Sequence, residues 1–117
     1  NAGHCTVYWR KADGTVGELS QGGIPFGMLG IDFPYQSEAI VLGPGDRLLL
    51  YTDGITEASD DGGRLYDGEG SLKSFFERQM PTDARTFIAD LIADVRAFTG
   101  SAPQADDITA LYLMRNT

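Results

Sequence analysis

An unbroken apolar run, Leu48-Leu49-Leu50-Tyr51, ends on Thr52-Asp53-Gly54. A run apolar at every residue reads as a strand covered on both faces. Asp53-Gly54 then stops it. A carboxylate at a strand end rests on rigid backbone and looks into a cleft, which suits a metal ligand or a general base. The same pair is also an ordinary turn, because Asp and Gly are common turn formers. Spacing alone leaves both readings open.

The rest of the chain narrows the choice of fold. Its 117 residues, 42% hydrophobic and 22% charged, suit one globular domain with a real core. No apolar run approaches the ~20 residues that a membrane helix needs. No basic segment followed by an apolar stretch marks a secretory signal. The single Cys5 forms no internal disulfide and is compatible with a reducing compartment. The expectation is therefore a cytoplasmic segment with no membrane contact. A net charge of −8 argues against a nucleic-acid surface, which needs clustered Lys and Arg. Residues 46–70 alone carry seven carboxylates against two bases. A solvated face accounts for most of these.

Glycine divides the chain, with fourteen of fifteen in residues 1–70. That first part reads as strands and turns, the remainder mainly as helix. Strands are expected over 5–11, near 15–19 after an Ala-Asp-Gly turn, over 36–42, and over 47–52 after the tight turn Gly43-Pro44-Gly45-Asp46. Together they suggest an antiparallel meander. Residues 21–35 are a Gly/Pro-rich loop. Ser71 is placed to cap a short helix to Gln79, with Leu72, Phe75 and Phe76 inward. After Pro81, Thr82 or Asp83 caps a longer helix to Phe98. Its Phe87, Ile88, Leu91, Ile92, Val95 and Phe98 form one apolar stripe, with Asp90 and Asp94 on the wet face and Gly100 as the stop. Residues 108–114, apolar on both faces, are expected in the middle of a sheet.

Asp106-Asp107 stands immediately before that last strand. If the two apolar strands are antiparallel neighbours, Asp53 and this acidic pair converge at one sheet edge. Carboxylates brought close repel strongly unless a cation lies between them. Oxygen ligands without a His/Cys cluster favour Mg²⁺ or Mn²⁺ over zinc. A simple turn role for either aspartate stands equally at this point. The acidic stretch lacks the spacing of a calcium EF-hand loop, and the glycines of 21–30 lack the G-K-[ST] of a phosphate loop. His4 and Cys5 are adjacent, so they point to opposite faces of a strand rather than forming a dyad.

Three motifs occur in order: Asn-Ala-Gly-His (1–4), Gly-Asp-Arg-Leu-Leu-Leu-Tyr-Thr-Asp-Gly-Ile-Thr-Glu-Ala (45–58) and Asp-Asp-Ile-Thr (106–109). With Pro-Phe-Gly-Met-Leu-Gly (25–30), they resemble the C-terminal half of the metal-dependent serine/threonine protein phosphatases of the type-2C kind. The branch is the bacterial one of stage II sporulation E and the sigma-factor regulators. The resemblance implies an α/β (α+β) fold, an α-β-β-α sandwich with a metal cluster at one edge of its sheets. It implies hydrolysis of phosphoserine or phosphothreonine by metal-activated water, with Mn²⁺ or Mg²⁺ as cofactor.

Matched motif by motif, the resemblance makes Asp53 and Asp106 two ligands of one metal, with no catalytic side chain beyond such ligands. Gly54, Asp107, His4 and Asn1 become supporting residues, and Glu57 a helix-start residue rather than a ligand. The implied partners are a phosphoprotein, typically a phosphorylated anti-sigma-factor antagonist, and an upstream sensor or regulatory domain. An Asp-x-x-Gly-His-Gly type motif, expected ahead of Asn1, is not in residues 1–117. Those residues are thus expected to be the C-terminal portion of one phosphatase domain, inactive alone and exposing an apolar face. Two alternatives have a different class: a non-catalytic phosphatase-like regulatory or protein-binding module, and a structural domain that binds Ca²⁺ through the 46–70 acids.

Overall fold

The computed structural model describes residues 1–117. The elements run β1 (Val7–Arg10), β2 (Val16–Leu19), β3 (Arg47–Tyr51), α1 (Asp53–Thr56), α2 (Ser71–Arg78), α3 (Ala84–Thr99) and β4 (Ala110–Met114). The strands make one sheet in the order β2-β1-β3-β4, antiparallel throughout. The order is not that of a meander, because β3 returns to pair with β1. Both edges of β1 are then occupied. The expected strand over 36–42 finds no ladder, and that segment is irregular. It crosses the start of β1 and the end of β2, lining a small recess with Val7 and Leu19.

Alternation decides which sheet face is covered. Tyr8, Leu49, Tyr51 and Tyr112 point to one face and are buried there against Leu72, Phe75 and Phe76 of α2 and Phe87, Leu91 and Val95 of α3. Aromatic stacking ties the layers, with Phe87 and Tyr112 ring centroids 4.1 Å apart. On the other face Leu48 and Leu50 are half-buried, while Leu111 and Leu113 are 53% and 43% exposed. Two expectations are corrected here. β3 is covered on one face only, and β4 is an edge strand rather than a central one. An apolar run shows that both faces are oily, but not that both have a layer on them.

Helix ends follow local chemistry. Asp83 caps α3 by accepting from the Thr86 amide at 3.0 Å, and Gly100 ends it with φ 61°. The cap of α2 is Gly70 in the left-handed region, not Ser71, which is the first helical residue. The Leu72 amide is satisfied instead by Asp67 Oδ1 at 2.8 Å. Asp90 is exposed as expected. Asp94 is half-buried and accepts from the Tyr66 hydroxyl at 2.5 Å, so it is not simply a wet-face residue.

Asp46 is buried with 6% of its surface exposed, although it belongs to the acidic stretch. Its Oδ2 accepts from the Gly43 amide (2.9 Å) and the Trp9 indole (3.1 Å), and its Oδ1 from the Ala12 amide (3.0 Å). These donors, the Gly43 amide first, hold its carboxyl below the ordinary carboxylate range despite the opposing effect of burial. The folded value lies below the unfolded one. Asp46 therefore stabilises the fold above the unfolded value of about pH 4, and that contribution is lost as pH falls through the lower folded value.

Asp46→Asn keeps one acceptor oxygen and turns an NH₂ toward donors. It is expected to lower the melting temperature by several degrees at pH 7, with the gap to wild type narrowing below about pH 4. Thermal melts by circular dichroism across pH 3–7 check this. In the core, Phe76→Ala is expected to cost about 3–5 kcal/mol by urea unfolding, because Phe76 bridges β1, α3 and β4.

Candidate metal centre

The β3–β4 register pairs Tyr51 with Ala110, so the end of β3 lies beside the start of β4. The contact continues past the ladder. The Thr52 amide donates to the Thr109 carbonyl at 3.0 Å, and Thr52 Oγ1 accepts from the Thr109 amide at 3.1 Å. Thr52 Oγ1 also lies 3.3 Å from the Asp107 carbonyl, to which it is positioned to donate. The Thr-Asp-Gly and Asp-Asp-Ile-Thr segments are therefore joined through backbone.

Gly54 makes that approach possible. A Cβ built there falls 2.1 Å from the Asp107 carbonyl oxygen. Only a residue without a side chain lets α1 begin this close to the 106–108 segment. Asp53 is the first residue of α1, and Thr52 precedes it in extended conformation. A carboxylate in the first turn is well placed against the amide end of a helix. Glu57 closes α1 instead of opening a helix, which corrects its expected place.

The start of β1 comes to the same edge. Cys5 is half-buried, and its thiol is pushed up by burial first and then by the Asp53 carboxylate, with a smaller push from Glu57. Asp53 and Glu57 thus act on the residue next to His4. Asn1 folds back over the same turn, with Oδ1 accepting from the His4 amide at 2.8 Å and Nδ2 donating to the His4 carbonyl at 3.1 Å. His4 Nδ1 lies 3.0 Å from the Cys5 carbonyl and donates to it.

Asp53, Asp106 and Asp107 are exposed. None is in an ion pair, since the two ion pairs of the chain are Arg64–Asp60 and Lys73–Glu18. Asp106 and Glu57 line one cleft of about 380 Å³ between α1, the end of α3 and residues 102–108, and Asp53 is not among its lining residues. Nowhere do three His, Cys, Asp or Glu side chains gather as a metal-holding group.

The fit to a divalent cation is therefore partial. The donor chemistry, carboxylate oxygens without a cationic partner around a close approach at Gly54, suits Mg²⁺ or Mn²⁺. The number of donors is short of a closed site. Sequence reasoning passed over Glu57 as a residue facing this edge and Asp46 as a buried anchor. A buried aspartate was readable only from the Gly-Pro-Gly-Asp turn running into an apolar strand.

The family described as Stage II sporulation protein E (SpoIIE) matches residues 1–116. Protein IcfG of Synechocystis sp. is 31% identical over 124 residues, covering 99% of this chain and 18% of that protein. Among solved structures, the SiaA-PP2C domain of Pseudomonas aeruginosa superposes with a TM-score of 0.75 at 23% identity, over 95% of this chain and 43% of that one. The RsbU and RsbW domains of Rv1364c from Mycobacterium tuberculosis superpose with a TM-score of 0.63 at 28% identity, over 99% of this chain and 32% of that one. The chain spans less than a fifth of the length of the curated relative it matches. These likenesses bear out the expected type-2C kind of fold, of which residues 1–117 form one sheet and one helical layer.

Gly54→Ala is expected to push the 106–109 segment off the end of β3. Hydrogen exchange read by NMR should show the Thr52 and Thr109 amides losing protection, with the β1–β2 hairpin unaffected. Asp53→Asn is expected to lower the Cys5 pKa toward its ordinary value. The rate of Cys5 alkylation near pH 8 should then rise relative to wild type.

Proposed function

The chain belongs to the stage II sporulation protein E (SpoIIE) family, and from that premise we propose that it is part of a Mn²⁺- or Mg²⁺-dependent phosphoserine/phosphothreonine protein phosphatase. We further propose that its substrate is a phosphorylated anti-sigma-factor antagonist in bacterial partner-switching signalling. The observation that carries the reading is the backbone junction of Thr52-Asp53-Gly54 with Asp107-Ile108-Thr109, closed by the missing side chain of Gly54. The likeness to a structure holding RsbU and RsbW domains supports the signalling assignment.

In this reading Asp53 and Asp106 hold the cation. Gly54 sets how closely their two segments approach, while Asp107, Asn1 and His4 shape the backbone around them. A bound Mn²⁺ or Mg²⁺ supplies Lewis-acid activation of water and offsets charge on the phosphoryl oxygens. The carboxylates of this edge would by themselves disfavour an anionic phosphoryl group, a charge that a bound cation would offset. Two aspartates leave most of a cation's coordination open, and the isolated chain is proposed to be inactive for that reason.

A non-catalytic, phosphatase-like binding module is favoured by one observation, that no three ligand side chains gather. Phosphate release separates the two readings. With Mn²⁺ and a phosphoserine protein, the full phosphatase domain is expected to turn over, and Asp53→Asn to reduce kcat by a factor of at least about 10². A domain that binds the phosphoprotein without releasing phosphate would support the module. Unchanged turnover in Asp53→Asn would remove Asp53 from the site.

A further inference from the structure

The outer face of α3 is not explained by the core or by the acidic edge. Phe87, Leu91 and Val95 face the sheet and are buried. The side of α3 turned away from it carries Ala89, Ile92, Ala93 and Ala97, with Ile88 at its margin packed in part against the core and Arg85 and Arg96 toward its two ends, around an open, shallow groove of about 760 Å³. Ile88 and Ile92 are half-buried, while Arg85, Ala89, Ala93, Arg96 and Ala97 are exposed. No acidic side chain lines this groove. The two acids of α3 are turned to its flanks, where Asp90 accepts from Gln79 Nε2 at 2.7 Å and Asp94 from the Tyr66 hydroxyl at 2.5 Å.

Three features mark this face. It is apolar on a helix side that has no layer over it. Both of its arginines lack an ion-pair partner in a chain of net charge −8. Arg85 also stands in the first turn of α3, where a positive charge opposes the helix dipole. Each is accounted for if the face meets something apolar with negative flanks.

We propose that the outer face of α3 is a docking groove for an acidic amphipathic helix of a protein partner. The apolar side of the partner helix lies on Ile88 and Ile92 in the space left by Ala89, Ala93 and Ala97, and its carboxylates meet Arg85 and Arg96. The proposal is independent of the metal reading. Charge disfavours pairing of this face with the same face of a second copy. Two α3 helices paired in parallel bring like arginines together, and paired antiparallel they bring Arg85 against Arg96. A lipid surface fits less well. Membrane-bound helices present bulky apolar side chains and several cations, whereas this face is shallow, alanine-rich and part of an acidic chain. Arg96 also lines the cleft that holds Asp106 and Glu57, so the groove runs toward the candidate metal edge.

The test is titration of the ¹⁵N-labelled chain with a synthetic helical peptide of about five turns. The peptide carries Leu on one face and Glu on both flanks. Two control peptides carry Lys for Glu, or the same residues with the Leu pattern scrambled. Amide shifts confined to residues 85–97 are expected with the acidic peptide alone. Arg85→Glu with Arg96→Glu should weaken binding about tenfold. Ala93→Arg, which adds a positive charge but fills the groove, should abolish it. All three positions are exposed, and unchanged circular dichroism confirms that the variants fold. Equal binding of the lysine or scrambled peptide overturns the proposal, as does absence of binding by the acidic one. Shifts at 85–97 with phosphatidylglycerol vesicles but not with the peptide overturn it in favour of a membrane surface.

Discussion

The pairing of Arg47–Tyr51 with Ala110–Met114 is the constraint on which the rest depends. The two strands are almost sixty residues apart in sequence, and five residue pairs hold them in register. A slip of β4 by one residue would turn Tyr112 out of the core and Leu111 or Leu113 into it. The register is fixed at both ends. At one end the Gly45 amide donates to the Arg115 carbonyl at 2.8 Å, and the Arg115 amide to the Asp46 carbonyl at 3.0 Å. At the other, Thr52 and Thr109 exchange bonds that use both backbone and hydroxyl. The ladder alone brings the Thr52-Asp53-Gly54 and Asp106–Thr109 segments together at one sheet edge.

This arrangement separates stability from chemistry along β3. Asp46, just before it, and Arg47, its first residue, are buried charged groups. Asp46 gathers the Gly43 and Ala12 amides and the Trp9 indole, and ties the β1–β2 hairpin to the start of β3. The middle of the strand packs on α2 and α3. Only beyond Tyr51 does a carboxylate, that of Asp53, reach solvent without an ion-pair partner. Much of the acidic stretch between the sheet and α2 is structural. Asp60 holds Gly62, Arg64 and its guanidinium, and Asp67 caps α2. These bonds leave the calcium reading of the stretch little free carboxylate to work with.

Elements with a local signal were legible in the sequence. The Asp83 cap, the Gly100 stop and the inward Phe87, Leu91 and Val95 are read from neighbours within a few residues, and the structure has each of them, while Ile88, Ile92 and Phe98 of the expected stripe are only half-buried. What failed depended on partners far along the chain. Residues 36–42 have strand-like composition but no free edge to join. The run 108–114 is apolar on both faces, yet one face has no layer over it. Ser71 is a good cap by type, but Gly70 and the side chain of Asp67 fill that role. The convergence of Asp53 with Asp106-Asp107 was readable only on the condition that two strands be antiparallel neighbours, and they are. The closeness enforced by Gly54 was not readable, since a glycine after an aspartate looks like any turn.

The central claim is that the ends of β3 and β4 form one cation-binding edge. Mn²⁺ titration of the ¹⁵N-labelled chain reads this directly, because the ion broadens the amide signals nearest to it. The account predicts broadening first at residues 52–54 and 106–109, and its loss in the Asp53→Asn Asp106→Asn double variant. Broadening that starts instead among residues 60–69, or that persists unchanged in the double variant, would contradict it.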